Sequence, residues 1–360
     1  MDTYIGQVLA NFALPEPPVR AERYGHGHIN ETYRVTIGSG KSYILQKINT
    51  SVFKNIDVLM SNLEAITSYL SKQTDDERRV MRLVKTTDGK PYLRHTDGTA
   101  WRMFVFVENS ICLQKPECAE DVYQCAVAFG EFQHLLRDFP ADTLQETIPN
   151  FHNTRDRYRL FHEMLEKDPL GRAKDVQPEI AFALARENEA GVLVELLEAG
   201  KLPLRVTHND TKINNVMLDA DTRTALCVVD LDTVMPGLSL YDYGDAVRCS
   251  AATADEDERN LSSMEMSLEL FETYTRGFLT ACPNLTPLEL ELLPVGAKTI
   301  ALELGVRFLT DYLDGDRYFA NRRSGHNLDR CRAQFKLVED MEKKWEQMHA
   351  IVKKIVADRR

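Results

Sequence analysis

The sequence predicts an α+β protein of two lobes, a small β-rich one at the N-terminus and a larger helical one after it. Three observations carry this reading. Residues from about 20 to 107 fall into short alternating apolar runs separated by glycine-containing turns. From Asn109 onward apolar residues recur every three or four positions. A short hairpin, "NVMLD" followed by "ALCVVDLD", then interrupts the helical part. Alternation marks a half-buried strand, and three-to-four spacing an amphipathic helix. A chain of 360 residues is long enough for two domains. The predicted division is 1–107 and 108–360, with a hinge near Phe106–Asn109.

In chain order, the start "MDTYIGQVLANFALPEPP" reads as an amphipathic helix stopped by Pro15 and Pro17. "RAERYGHGHINETYRVTI" reads as two strands around a glycine turn, and "KSYILQKI" as a third. Leu59, Leu63, Ile66 and Leu70 place a helix over 56–70. "MRLVKTTDGKPYL" and "AWRMFVFVE" supply two or three more strands, with Asp-Gly turns between them. Val122, Cys125, Phe129, Phe132 and Leu136 open the helical lobe, and further helices are predicted over 155–167, 178–199, 257–280, 287–314 and 328–357.

Composition narrows the function. A net charge of −11 argues against sequence-independent nucleic-acid binding, which needs lysine and arginine to neutralise phosphates. No window approaches eighteen apolar residues, so no membrane span is predicted, and the acidic start does not read as a signal peptide. The seven cysteines are odd in number and contain no C-x-x-C pair, which suggests reduced thiols in a cytoplasmic protein. No obligate protein partner is indicated.

The chemistry is concentrated in "VTHNDTKINNVMLDADTRTALCVVDLDTV", residues 206–234. His208, Asp210 and Asn215 have the spacing of H-x-D-x-x-x-x-N, and Asp230 closes the following apolar run. In protein kinases this set supplies a carboxylate for the acceptor hydroxyl, then an amide and a second carboxylate for a divalent metal. A loop and a hairpin would deliver base and metal ligands to one point.

In these motifs the chain resembles the aminoglycoside phosphotransferase and choline kinase superfamily, a branch of the protein-kinase-like fold. Within it, the chain is most similar to bacterial N-acetylhexosamine 1-kinases. "YGHGHINETY", "YILQKINTSVF", "LRVTHNDTKINN", "DLDTVMPG" and "GVRFLTDYLDGDRYF" carry the likeness across both lobes. The resemblance implies transfer of the ATP γ-phosphoryl group, with Mg²⁺, to the anomeric hydroxyl of N-acetylglucosamine or N-acetylgalactosamine. Other small-molecule kinases of the superfamily, acting on an amino alcohol, an aminoglycoside or a neutral sugar, are the alternative. A silent nucleotide-binding pseudokinase is the non-enzyme alternative.

The resemblance further implies Asp210 as catalytic carboxylate and Asn215 and Asp230 as Mg²⁺ ligands, with His208 as scaffold and Asp232 either a supporting partner or a second-metal ligand. Gly25 and Gly27 would approach the phosphates, and Phe106, Val107 and Glu108 would meet adenine. Gln46 would face inward where protein kinases carry a lysine, Lys47 would point away, and Lys212 would reach the γ-phosphate. His28, Asn209, Arg307 and Tyr318 would contact the sugar, while Asp242 and Asp245 brace the catalytic loop with Arg248 as partner. Spacing alone favours Arg307 and Asp311 as a surface pair and Tyr318 as a core residue over sugar contacts. "HGH" could also read as a metal pair, but no acidic partner pattern accompanies it.

Overall fold

The computed structural model describes residues 2–25 and 30–359. Helix α1 (Thr3–Leu9) is followed by β1 (Pro18–Arg23), β2 (Glu31–Ile37) and β3 (Ser42–Lys47), then α2 (Ile56–Leu70), β4 (Leu83–Val84), β5 (Leu93–Arg94), β6 (Ala100–Val105) and β7 (Ser110–Cys112). After them come α3 (Ala119–Leu135), α4 (Thr154–Lys167), α5 (Gln177–Leu184), α6 (Glu187–Ala190), α7 (Val192–Glu198), β8 (Arg205–Thr207), β9 (Val216–Asp219), β10 (Ala225–Val228), β11 (Met235–Gly237) and α8 (Ser239–Ser250). The chain ends in α9 (Leu268–Ala281), α10 (Pro287–Glu291), α11 (Leu293–Asp314), α12 (His326–Lys343) and α13 (Trp345–Asp358).

The chain forms two compact units. The first gathers residues 1–112, 138–149 and 215–235. Its antiparallel sheet runs β1-β2-β3-β6-β4, with β5 also on β6. Alternation along the strands sends Val35, Ile37, Tyr43, Leu45, Trp101 and Met103 to one face, where they bury Ile5, Val8 and Leu9 of α1. Helix α2 begins where Asn55 caps it, its side chain accepting from the Val58 amide at 3.2 Å. The buried Asn62 amide then ties α2 to the Gln145 and Val234 carbonyls, at 2.7 and 3.2 Å. The predicted hairpin is β9–β10, and β7 adds a third strand to it.

The second unit gathers 113–137, 150–214 and 236–360. Here α3 packs on α9, and α11 lies against α4, α8 and α12. Four helix expectations are corrected. The helix expected over 287–314 is two, α10 and α11, divided at Leu292. The stretch 178–199 is three short helices, with Gly191 separating the last two. The helix expected over 257–280 starts only at Leu268, where Ser267 caps it; residues 253 and 265 before it are joined by a backbone bond of 3.0 Å. The helix expected over 328–357 breaks at Lys344, whose ammonium is drawn back to Asp340 at 2.7 Å and to the Met266 carbonyl at 2.9 Å. Helix α8 was not anticipated.

Candidate functional site

Within the second unit, β8 delivers the chain into the loop 208–211, and α8 holds that loop from behind. Asp242 and Asp245 are three residues apart, so they project from one face of α8. Asp242 accepts the His208 amide at 2.9 Å, the Asn209 amide at 2.7 Å and the Gln133 side chain at 2.7 Å. Asp245 accepts the Thr211 amide at 2.7 Å, and Arg248 donates to it from 2.9 Å. Burial pushes the Asp242 carboxyl up, against His208 and its donors. Burial acts on Asp245 as well, but Arg248 and Lys212 outweigh it and hold that carboxyl below its ordinary range.

The clamp takes the amides on either side of Asp210 and fixes Asn209 in the left-handed region, at φ 65°. The Asp210 carboxylate stays about a third exposed, with the Lys212 ammonium 2.7 Å away. Asp210 in turn raises the Lys212 ammonium above its ordinary value, against the burial that opposes this. His208 is fully buried, its ring edge-on to Phe129 and Phe132. Asn209, expected at the sugar, is also buried and donates its side-chain amide to the Thr207 carbonyl at 3.3 Å.

The metal-ligand candidates belong to the first unit. The Val229 amide donates to the Asn215 carbonyl at 2.9 Å, one step beyond the Val216–Val228 pair, so the open end of the hairpin sets Asn215 beside the start of Asp230. Asp230 is left-handed, at φ 61°, a conformation that Asp tolerates better than most residues. Amide and carboxylate oxygens are the hard donors that Mg²⁺ prefers. Among the described residues no group of three or more His, Cys, Asp and Glu forms a dedicated metal cage. A divalent ion here would complete its shell with water and phosphate, which is how Mg²⁺ is commonly held.

Asp232 has a different place. Both its oxygens accept from the guanidinium of Arg102 on β6, and Asn30 donates to it from 2.9 Å. The pair is buried, with side chains 2% and 5% exposed. Arg102 also donates to Gln46 Oε1 at 2.9 Å, while Gln46 Nε2 donates to Thr32 at 3.2 Å. Gln46 therefore shares a sheet face with Arg102. Lys47 lies on the other face, 3.7 Å from Glu31. Sequence reasoning missed Arg102, although an arginine inside the apolar strand "AWRMFV" was a visible signal.

Of the other nucleotide candidates, Gly25 is at φ 77°, and a Cβ added there would meet nothing within 4 Å among the described residues. Gly27 and His28 lie outside the described residues. Phe106 lies under the Arg34 guanidinium at 4.3 Å and edge-on to Tyr24 at 5.7 Å. Glu108 accepts from the Ser42 amide at 3.3 Å, and the Val107 carbonyl accepts from Ser110 at 2.6 Å.

The sugar candidates Arg307 and Tyr318 meet across Phe319. Arg307 lies 5.6 Å over the Phe319 ring and 4.9 Å over Phe151, and the Tyr318 ring is edge-on to Phe319 at 4.8 Å. Neither spacing-based alternative holds. Arg307 pairs back to Glu303 at 3.5 Å, and Asp311 instead accepts the amides of 317, 318 and 319 together with Asn327. Tyr318 is 64% exposed, so it is no core residue. Beneath Arg307 lies a group the sequence did not reveal: His152 Nδ1 bonds Glu303 at 2.9 Å, and both side chains are buried.

A cavity of about 700 Å³ opens beside Lys212, between the start of α3, residues 212–214 and residues 248–256. Four cationic side chains line it (Lys115, Lys212, Arg248 and Arg322), with three carboxylates (Glu117, Asp255 and Glu256) and no aromatic ring.

A sheet-rich first unit, a helical second unit and a clamped H-x-D loop leading into a hairpin define a kinase-like phosphotransferase. The chain belongs to the phosphotransferase enzyme family, whose sequence profile it matches over residues 20–275. It is similar in structure to a microcompartment-associated aminopropanol kinase, at 15% identity, TM-score 0.62, covering 96% of this chain and 98% of the other. An aminoglycoside phosphotransferase from Alicyclobacillus acidocaldarius aligns at 16% identity and TM-score 0.56, covering 98% and 95%. An amicoumacin kinase in complex with AMP-PNP and Ca²⁺ aligns at 12% identity and TM-score 0.58, covering 95% and 92%. At these identities the likeness establishes the fold. No described helix is long and apolar enough to cross a membrane.

Proposed function

We propose that this phosphotransferase moves the γ-phosphoryl group of ATP to the anomeric hydroxyl of an N-acetylhexosamine, giving the sugar 1-phosphate and ADP. The observation that carries the chemistry is the clamped loop, which presents the Asp210 carboxylate beside the Lys212 ammonium at 2.7 Å. Asp210 orients the sugar hydroxyl and takes its proton as the new P–O bond forms and the bond to the ADP oxygen breaks. Lys212 offsets negative charge on the transferring group. Asn215 and Asp230 hold Mg²⁺, which when bound neutralises phosphate oxygens. Gly25 and Gly27 approach the phosphates, Gln46 with Arg102 lines the sheet face, and residues 106–108 receive the base.

Arg307 and Tyr318, together with His28, contact the sugar, and Asn209 keeps the catalytic loop in shape. The anomeric hydroxyl is the most acidic of the ring, so one aspartate suffices to activate it. The guanidinium of Arg307, held among Phe151, Phe319 and Glu303, offers both a donor and an apolar wall to an acetamido group.

A second reading, an amino-alcohol or aminoglycoside kinase, is favoured by the functions of the structural neighbours. The cavity beside Lys212 speaks against it, since a cationic acceptor is stabilised by open carboxylates and aromatic faces, and here no aromatic ring is among the lining residues and Asp210, Asp255 and Glu256 are already paired with Lys212, Lys115 and Arg248. Phosphorus NMR of products from a panel of N-acetylhexosamines, plain hexoses, aminopropanol and an aminoglycoside separates the readings. The expected product is a sugar phosphate that no longer reduces. A reducing product, or preference for an amine, would refute the N-acetylhexosamine assignment and leave the phosphotransferase standing.

A further inference from the structure

The cavity beside Lys212 is larger than one pyranose needs, and it adjoins the catalytic carboxylate. Its wall includes Lys212, whose ammonium is 2.7 Å from Asp210. Its volume of about 700 Å³ suits a ligand of drug size. We propose that this cavity is an acceptor subsite for a second, uncharged sugar ring, so that the preferred acceptor is a disaccharide with an N-acetylhexosamine at its reducing end. This rests on the reading of Asp210 as the group that activates the anomeric hydroxyl.

The charge pattern selects the occupant. Lys115 is held by Asp255 at 2.6 Å, Lys212 by Asp210 at 2.7 Å, and Arg248 by Asp245 and Glu256 at 2.7 Å each. With these cations already neutralised, there is no paired positive site for a polyanion. The same pairs commit Asp210, Asp245, Asp255 and Glu256 to cations of the protein, so these carboxylates are not open to a polyamine. Two polar groups lack a matching partner among the described residues. Gln334 lines the cavity at 2% exposure and its Oε1 accepts no hydrogen bond, while the guanidinium of Arg322 at the rim makes no ion pair. A buried acceptor without a donor costs free energy that an incoming hydroxyl would recover. Val122, Ile213, Met264 and Leu270 supply apolar surface for the C–H faces of a ring.

The test uses the full chain with ATP and Mg²⁺, and N-acetylglucosamine and N,N′-diacetylchitobiose as paired acceptors. Cys118 lines the cavity and is exposed, so its alkylation by iodoacetamide, followed by peptide mass spectrometry, reports occupancy; exposed Cys112, outside the lining, is the reference. The disaccharide is expected to protect Cys118 and the monosaccharide not to, and kcat/KM is expected to be higher for the disaccharide. Gln334→Leu should lower the disaccharide kcat/KM by about tenfold, the worth of one hydrogen bond to a buried group, and leave the monosaccharide unchanged. Arg322→Ala, an exposed rim substitution, gives the same selective loss should Gln334→Leu fail to fold. If N-acetylglucosamine is phosphorylated while the disaccharide neither protects Cys118 nor turns over, or if the variants weaken both acceptors equally, the subsite is refuted and the N-acetylhexosamine reading stands. If neither sugar accepts phosphate, that reading falls and the subsite with it.

Discussion

Asp210, on a loop, and Asp232, in a single turn of 3-10 helix, belong to one motif-rich stretch, yet their surroundings give them opposite roles. Asp210 keeps a third of its side chain exposed and faces one lysine, the setting of a group that must exchange a proton with a ligand. Asp232 is sealed against Arg102 and Asn30, so it fixes the polypeptide next to the metal-ligand candidate Asp230 rather than offering an open coordination site. The two should respond differently to substitution. Asp210→Asn is expected to leave the melting temperature unchanged and to lower kcat by about 10²–10⁴, because the amide matches the shape but cannot take the proton. Retention of more than half the activity would remove Asp210 from its role. Asp232→Ala leaves a buried guanidinium uncompensated and should cost about 3–5 kcal/mol of stability. Urea unfolding measures this directly, and a variant as stable as the parent would show that water replaces the carboxylate without penalty.

At the scale of elements, α8 is the part that organises the loop, and it was the part least legible beforehand. Eleven of its twelve residues are buried, and its polar face, which carries Asp242, Asp245 and Arg248, is turned onto the catalytic loop instead of solvent, so it does not have the exposed polar side by which a surface helix is recognised. Helix α2 is the opposite case: a one-sided leucine and isoleucine stripe predicted its limits, and the structure adds the Asn55 cap at its start. The catalytic loop was readable because its residues are neighbours in sequence. Arg102 was not connected to Asp232 because 130 positions separate them, and only sheet register decides which way Arg102 points. The packing of α8 makes its own prediction. A Cβ added to Gly244 would lie 2.4 Å from the carbonyl oxygen of Gly296 on α11, a backbone atom that cannot rotate away. Gly244→Ala should therefore push the helices apart, costing about 1–3 kcal/mol or more. It should also lower kcat, because Asp242 and Asp245 ride on the displaced helix. A lowered melting temperature with normal kcat would mean that the clamp tolerates the shift.

At the scale of the whole molecule, the first compact unit is assembled from three separated stretches of chain, and this interleaving was hidden in the sequence. Periodicity reports local structure, and the hairpin at 216–228 reads as an insertion in a helical region until its pairing with β7 is seen. The consequence is that an N-terminal fragment ending at Cys112 cannot complete its own core. It would lose β9, the partner of β7, and the Gln145 and Val234 carbonyls that satisfy the buried Asn62. It would also lose Asp219, which pairs with Arg78 at 2.9 Å, and Asp232, which neutralises the buried Arg102. Unsatisfied buried amides and charges cost about 1–3 kcal/mol each and more for ions. Domains have only about 5–15 kcal/mol of stability in total. Fragment 1–112 is therefore expected to show no cooperative thermal transition by circular dichroism and no protected amides at Leu45 or Met103, residues at the centre of its sheet. Co-expression with residues 113–360 should restore both, because the missing stretches then return on a second chain. A fragment 1–112 that melts cooperatively by itself, with slow amide exchange at those two residues, would show that the sheet and α1 suffice for folding and that the later segments are added to a finished domain.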